Sequence, residues 1–306
     1  MTQSFIPSTS TTAASTAKSG TAESGTAEQT AAVPDLARRA NRRPSTLSLG
    51  MARTRIEVKQ FFREKASVVF TFLFPVMMLF IFGSVFNREM VPGVSFTQYF
   101  TAGMIASGII LSSFQSLAIG ISMERDDGTL KRLYGSPMPP AAYFLGKIGL
   151  VLVTSIVQIG ILLSAGTLVF GLDLPSSAGL WWRFTWVMLL GSAAGTVMGI
   201  AYSSLIRSGR SAGAVVSPVV IILQFISGVF FVYSELPKWM QGVAAIFPLK
   251  WLAQGMRSVF LPPSFVAQEA ARSWQLPWIA IVLALWTVAG LFVCIKTFRW
   301  QRRGDG

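Results

Sequence analysis

Residues 97 to 123 read TQYFTAGMIASGIILSSFQSLAIGISM, and residues 124 to 134 continue ERDDGTLKRLY. The first stretch contains no Asp, Glu, Lys or Arg. A bilayer core about 30 Å thick is crossed by about 20 apolar residues in a helix, so this stretch is long enough to span and the charged run ends it. Five further uncharged runs of that length lie at 66 to 86, 148 to 170, 184 to 206, 211 to 234 and 275 to 295, which predicts an all-α membrane protein with six transmembrane helices. Pro75 and Pro218 fall inside the first and fifth runs, where kinks are expected.

Composition agrees with a lipid environment. Hydrophobic residues make up 52% of the 306-residue chain and charged residues 13%. The formal charge of +13 would suit nucleic acid if the basic residues formed a stripe, but they sit between the apolar runs, so a nucleic-acid partner is excluded. Histidine is absent and the single cysteine, Cys294, lies in the last apolar run, which excludes a His/Cys metal site, a His base and an internal disulfide. No G-x-x-x-x-G-K-[ST] phosphate loop is present: Gly146 and Lys147 are followed by Ile148. Paired carboxylates at membrane depth are missing too, so no enzyme site is read, and uncharged spans disfavour an ion-coupled carrier.

Of the 26 Lys and Arg residues, Arg88, Arg183, Lys238, Lys250, Arg257 and Arg272 fall in one set of loops and the other 20 in the alternate set with both ends. The positive-inside rule therefore places both termini in the cytoplasm. Residues 1 to 48, rich in Ser, Thr and Ala with a basic patch at Arg38, Arg39, Arg42 and Arg43, read as a disordered cytoplasmic tail, and 49 to 303 as the membrane domain. At 51 to 65, Met51, Val58, Phe61 and Phe62 recur at helical spacing among basic residues, which predicts an amphipathic helix on an anionic leaflet. The outer segment 235 to 272 is broken by Pro237, Pro248, Pro262 and Pro263 yet rich in apolar residues; short helices dipping into the outer leaflet are expected, with Trp181, Trp182, Trp274 and Trp300 as interfacial anchors.

The segment 124 to 140 is dense in both signs of charge. Leu130, Leu133 and Tyr134 share one helix face while Lys131 and Arg132 stay in water, and Pro137, Pro139 and Pro140 end the element. Taken alone, this is either a short helix along the membrane or an ordinary orienting loop. Glu124-Arg125-Asp126-Asp127-Gly128-Thr129-Leu130, then Pro137, then Gly146-Lys147, resembles the E-R-E-x-G-T-L, Pro and G-K signature of type 2 ABC transporter permeases, with Asp126 where the family often has Glu. Leu236-Pro237-Lys238-Trp239, Phe247-Pro248-Leu249 and Arg257 look like that family's outer re-entrant helices. The resemblance covers about residues 51 to 300.

It implies a permease that dimerises, with a homodimer expected and a paralogous partner the alternative, and that binds two copies of a separate ABC ATP-binding subunit. ATP and Mg would belong to that partner ATPase, with no cofactor in this chain. It implies further that Glu124, Arg125, Asp126, Asp127, Gly128, Thr129, Leu130 and Leu133 form the coupling helix, an apolar knob with a charged rim, so that Leu130→Asp uncouples transport without unfolding the spans. Gln115, Gln158 and Gln224, with Ser112, Ser113 and Ser116, either line a path or join helices, and the small residues Gly191 to Gly195 and Gly199 suit close packing. Uncharged spans favour a small lipophilic or amphiphilic substrate. The chain resembles the drug-efflux branch that includes the daunorubicin-resistance permeases; export of a lipid-linked polysaccharide or teichoic-acid precursor, and a non-transporting membrane scaffold, are the alternatives.

Overall fold

In the computed structural model, residues 45 to 86 and 88 to 298 are described. The tail read over residues 1 to 44, with its four arginines, and the closing Arg299, Trp300, Arg302 and Arg303 lie outside them. The described chain begins with α1 (Thr46–Arg63), whose Ser45 side chain accepts a hydrogen bond from the Ser48 N–H and satisfies one orphan donor of the first turn. The helix thus starts inside the stretch assigned to the tail.

Among the described residues six helices are long and apolar enough to cross a membrane: α2 (Lys65–Val85), α3 (Phe96–Asp126), α5 (Pro140–Phe170), α6 (Ala178–Ser203), α7 (Gly209–Ile226) and α10 (Leu276–Thr297). All six runs expected from the sequence are present. Four boundaries are corrected: α3 continues through Glu124, Arg125 and Asp126, α5 begins eight residues early and takes in Lys147, α6 begins six residues early and takes in Arg183, and α7 stops at Ile226, eight residues short of the expected end. Charged residues therefore occur on the spanning helices, at their ends. Reading boundaries from charge alone placed them in loops.

Proline and serine chemistry set local detail. Pro75 has no N–H to give to the preceding turn, and the residues before it, Val69–Leu73, widen into a π-turn that absorbs the mismatch. A short antiparallel hairpin, β1 (Glu89–Val91) with β2 (Val94–Ser95), joins α2 to α3 and was not foreseen. Ser95 then caps α3: its Oγ accepts from the Gln98 N–H, and the Gln98 side chain accepts from the Ser95 N–H.

The central element is α3, with 72% of its apolar window buried inside the protein, against 22% for α2 and α10, whose remaining surface faces outward. A second π-turn, Leu111–Gln115, interrupts α3, and glycines of α6 close against it: a methyl group on Gly199 would sit 2.7 Å from the Phe114 carbonyl oxygen. The small residues of α6 serve close packing, as expected.

Between α7 and α10 lie α8 (Lys238–Ala244) and α9 (Pro248–Phe260). Two short helices thus stand where short helices are expected, and their surroundings differ. Every residue of α9 is buried, packed against α3, α6 and α10, so this helix is part of the protein core. The α8 segment, in contrast, turns large apolar groups outward at Trp239, Val243 and Ile246.

Candidate functional site

The site is a junction at the end of the bundle where α3 and α6 finish and α5 and α7 begin. Four consecutive residues of the quoted motif each tie down a different element there. Glu124, on the last turn of α3, accepts hydrogen bonds from Tyr143 Oη at 2.7 Å and Lys147 Nζ at 2.7 Å, both on α5. Arg125 donates through Nη1 to the Ser203 carbonyl at 2.7 Å and through Nη2 to Ser203 Oγ at 3.2 Å, a cation at the C-terminus of α6 where the helix dipole is negative. Asp126 accepts from the Gly209 N–H at 2.5 Å and from Ser208 Oγ at 3.3 Å, an anion at the N-terminus of α7. Asp127 accepts from the Thr129 N–H at 2.8 Å and so starts α4 (Thr129–Tyr134).

Close approach makes these bonds geometrically possible. Gly128 sits at φ +75°, in the left-handed region that a side chain disfavours, and turns the chain from α3 into α4. A methyl group on Gly209 would lie 2.8 Å from Met123 Cα, so the α6–α7 turn rests directly on the end of α3.

The entry helix α1 closes the junction from the side. Lys147 Nζ bridges Glu124 and Glu57, the latter at 2.8 Å, while Arg53 pairs with Glu57 at 2.5 Å and reaches Glu124 at 3.4 Å. Two cations and two carboxylates are thus collected with side chains no more than 16% exposed, and the net charge of the group is zero. A methyl group on Gly146 would overlap Arg53, and one on Gly149 would overlap Thr54. Glycine followed by lysine at 146 and 147 therefore has a physical reading: the first lets α1 approach and the second pairs with its acid.

Arg53, Glu57 and Tyr143 were missed by sequence reasoning. The available signal was the i, i+4 pair Arg53 and Glu57 on the same helix as Gly50, opposite Gly146 and Gly149 on the helix that carries Lys147. The apolar residues of α1 were instead all assigned to the membrane, whereas Phe61 is buried in the protein and Arg53 and Glu57 share its buried face.

Leu130 requires a correction. It is fully buried, in a cluster with Leu117, Ile121, Tyr143, Val151, Ile200 and Cys294, so it anchors α4 to the bundle and presents nothing to a partner. An apolar residue with free space beneath it gains most by turning inward. Leu133 is half-buried beside the same cluster. What α4 exposes is Lys131, Arg132 and Tyr134, with Asp127 at its start.

The three glutamines fall in different places. Gln158 and Gln224 are both 2% exposed; the first accepts from Ser112 Oγ at 3.3 Å and the second donates to Ser107 Oγ. Both join α3 to a neighbour within the protein and have no surface with which to line a path. Gln115 is half-buried and lies 3.5 Å from Ser217 of α7.

At the opposite end of the bundle Arg257 of α9, fully buried, pairs with Glu269 at 2.6 Å and donates to the Gly228 carbonyl at 3.3 Å, while its guanidinium lies 5.1 Å from the Tyr99 ring. Burial lowers its basicity, but Glu269 more than compensates and the net shift is upward. Lys250, on the same helix, is buried with Gln254 Oε1 at 2.7 Å as its hydrogen-bond acceptor and the Trp251 ring beneath it. Burial, reinforced by the charge of Arg257, pushes its ammonium down to about 8. Tyr233, also desolvated, is pushed up to about 12.

The family model for ABC-2 type transporters matches residues 51 to 261. The chain is 22% identical over 183 residues to an inner membrane transport permease, YadH, of Escherichia coli, covering 59% of this chain and 70% of that one. It is 24% identical over 170 residues to a probable multidrug ABC transporter permease, YbhR, of the same organism, covering 56% and 45% of the two chains. A putative transport permease of Bacillus subtilis, YvfS, is 21% identical over 196 residues, covering 63% and 77%. Membership implies a partner subunit that binds ATP. The chain belongs to the ABC-2 type transporter family, as a transmembrane permease subunit of an ABC transporter.

Proposed function

We propose that this chain is the permease of an ATP-driven exporter that carries a lipophilic or amphiphilic compound, of the drug or antibiotic type, out of a bacterial cell. Two copies form a homodimer that binds two ATP-binding subunits on the cytoplasmic side, the side to which the excess of Lys and Arg assigns both termini. The observation that carries the reading is the junction beneath α4. Glu124 to Asp127 join α5, α6, α7 and α4 at successive positions, so a displacement of α4 is delivered to three spans together.

Rigid transmission needs bonds that do not slip, and partly buried charge-assisted hydrogen bonds supply them. The docking surface for the ATP-binding subunit is the exposed Lys131, Arg132 and Tyr134, which takes over the role first assigned to Leu130. Cargo passes between the two copies, where Gln115 of α3 supplies a polar group at the α3–α7 face. The name of the E. coli multidrug permease supports the cargo class, and the absence of charge in the middle of the spans agrees with it.

Co-purification in mild detergent tests this. The chain should retain its ATP-binding subunit, and the ATPase activity of the complex should change when daunorubicin is added. Lys131→Glu/Arg132→Glu should weaken retention by at least about tenfold, because it reverses the charge of the docking surface. Failure of the unaltered chain to hold any such subunit would refute the reading.

A further inference from the structure

We propose that the π-turn Leu111–Gln115 is a hinge in α3, about which the half of the helix that ends in Glu124 to Asp126 tilts while the other half stays fixed. No proline forces this turn. In α2 the corresponding irregularity precedes Pro75, whereas residues 96 to 126 contain no proline. Serine chemistry supplies the cause instead: Ser113 Oγ donates to the Ile109 carbonyl at 2.5 Å, the acceptor that the Ser113 N–H would use in a regular helix. A π-turn holds about one residue more than an α-turn, and such turns are frequent at functional sites.

The two halves of α3 are packed differently. From Phe96 to Ile110 every residue except Gln98 is buried. Tyr99 fixes the far end: its Oη donates to the Gly228 carbonyl at 3.1 Å and accepts from the Tyr233 N–H at 3.1 Å. Gly103 admits the backbone of Val229, whose carbonyl oxygen would lie 3.1 Å from an added methyl group. Beyond the turn, Ser116–Asp126 buries only the stripe Leu117, Ala118, Ile121 and Ser122. A methyl group on Gly120 would meet nothing within 4 Å among the described residues, and Met123 is 49% exposed. One half is therefore enclosed, and the other has open space beside it.

The turn itself is held at three helices, as a pivot must be. Ser112 Oγ donates to Gln158 of α5 at 3.3 Å, Ser113 Oγ fills the space left by Gly195 of α6, and the Phe114 carbonyl rests on Gly199. Gln115 lies 3.5 Å from Ser217 of α7 and is the longest of these contacts. The 11 residues of Ser116–Asp126 form an arm about 16 Å long, so a tilt of about 10° carries its end by about 3 Å. The end of that arm is the junction, and Gln115 turns with its start. The force comes from the ATP-binding subunit acting through α4, so the part the hinge plays in transport rests on the proposed function; the hinge itself does not.

The test first takes the full chain alone, in phosphatidylcholine nanodiscs, and reads amide hydrogen exchange. Amides at 112 to 116 should be protected at least about tenfold less than those at 102 to 106. Deleting Leu111, half-buried on the turn, returns the spacing to that of an α-helix and keeps both halves in register. It should bring protection at the turn to within about threefold of the outer half. Should the deletion variant fail to fold, Ser113→Ala frees the Ile109 carbonyl for the backbone N–H and should raise protection at the turn at least about threefold. Uniform protection in the unaltered chain would overturn the proposal, and so would a contrast that persists in the variant that folds. With the ATP-binding subunit present, that variant should retain the subunit as the unaltered chain does, while ATP-driven daunorubicin uptake falls at least about tenfold. Undiminished uptake would refute the hinge, as would loss of the subunit, which would make the turn part of the docking surface. If the unaltered chain holds no subunit, the proposed function fails and the exchange contrast alone decides the hinge.

Discussion

Replacing Lys147 with methionine removes one of two cations from a buried group of four charges. The ammonium lies 2.8 Å from Glu57 and 2.7 Å from Glu124, and Lys147 is 3% exposed. Methionine fills a similar volume, so the loss is chiefly electrostatic: two carboxylates then share Arg53, and the group carries one uncompensated negative charge. Breaking a buried pair in this way costs about 3–5 kcal/mol. At about 2–4 °C for each kcal/mol in a domain of this size, the midpoint of thermal unfolding should drop by about 6 to 20 °C. Tryptophan fluorescence in detergent reads the transition, and Glu57→Gln supplies the control. Adding it to Lys147→Met restores neutrality, so the double variant should melt above the single one, with a coupling of about 1–3 kcal/mol. A shift of under about 2 °C for Lys147→Met, or an additive further loss in the double variant, would refute the account of the junction as a charge-balanced unit.

Other perturbations separate packing from docking. Leu130→Asp should cost about 3–5 kcal/mol and reduce the folded yield, since it places a carboxylate in a closed apolar cluster; Lys131→Glu/Arg132→Glu should leave the melting point within about 2 °C. Gly209→Ala should destabilise by about 1–3 kcal/mol because the methyl group meets the backbone of Met123, while Gly160→Ala, with nothing within 4 Å, should be neutral or slightly stabilising, as comparison of the two melting curves will show. Lys250 has its folded basicity lowered from 10.5 to about 8, so below about 8 it is charged in both states and its full burial cost is present. Between about 8 and 10.5 the unfolded chain binds more protons, and stability should rise with pH by up to about 3 kcal/mol. Lys250→Met should remove that rise in a pH series of melts and raise the melting point at pH 7.

How much of this was legible in the sequence depends on what each signal measures. Hydrophobic run length identified all six spanning helices, because a bilayer sets a length that composition reports directly. Charge marked the ends less well. Glu124 to Asp126 and Lys147 stay helical because their partners on neighbouring elements let them be buried, and those partners are distant in sequence: Arg53 lies 71 residues before Glu124. The same reason hid the burial of α9, though a short helix was expected there. Its Lys250, Gln254 and Arg257 look like loop residues until Glu269, Gly228 and Trp251 are in place around them. Leu130 was read by its spacing, and spacing identifies an apolar face without saying whether that face turns toward the bundle or toward a partner. The motif itself was recognisable, but its long-range attachments were not, since those of Arg125 and Asp126 end on backbone groups of Ser203 and Gly209 whose positions only the fold supplies.

Under the proposed function, this permease should move cargo only when an ATP-binding subunit drives α4. Inside-out proteoliposomes containing the chain with that subunit should take up daunorubicin on addition of ATP. Uptake should be abolished without the subunit and reduced by at least about tenfold in Lys131→Glu/Arg132→Glu. Uptake that proceeds without ATP and collapses when an ion gradient is dissipated would contradict the account.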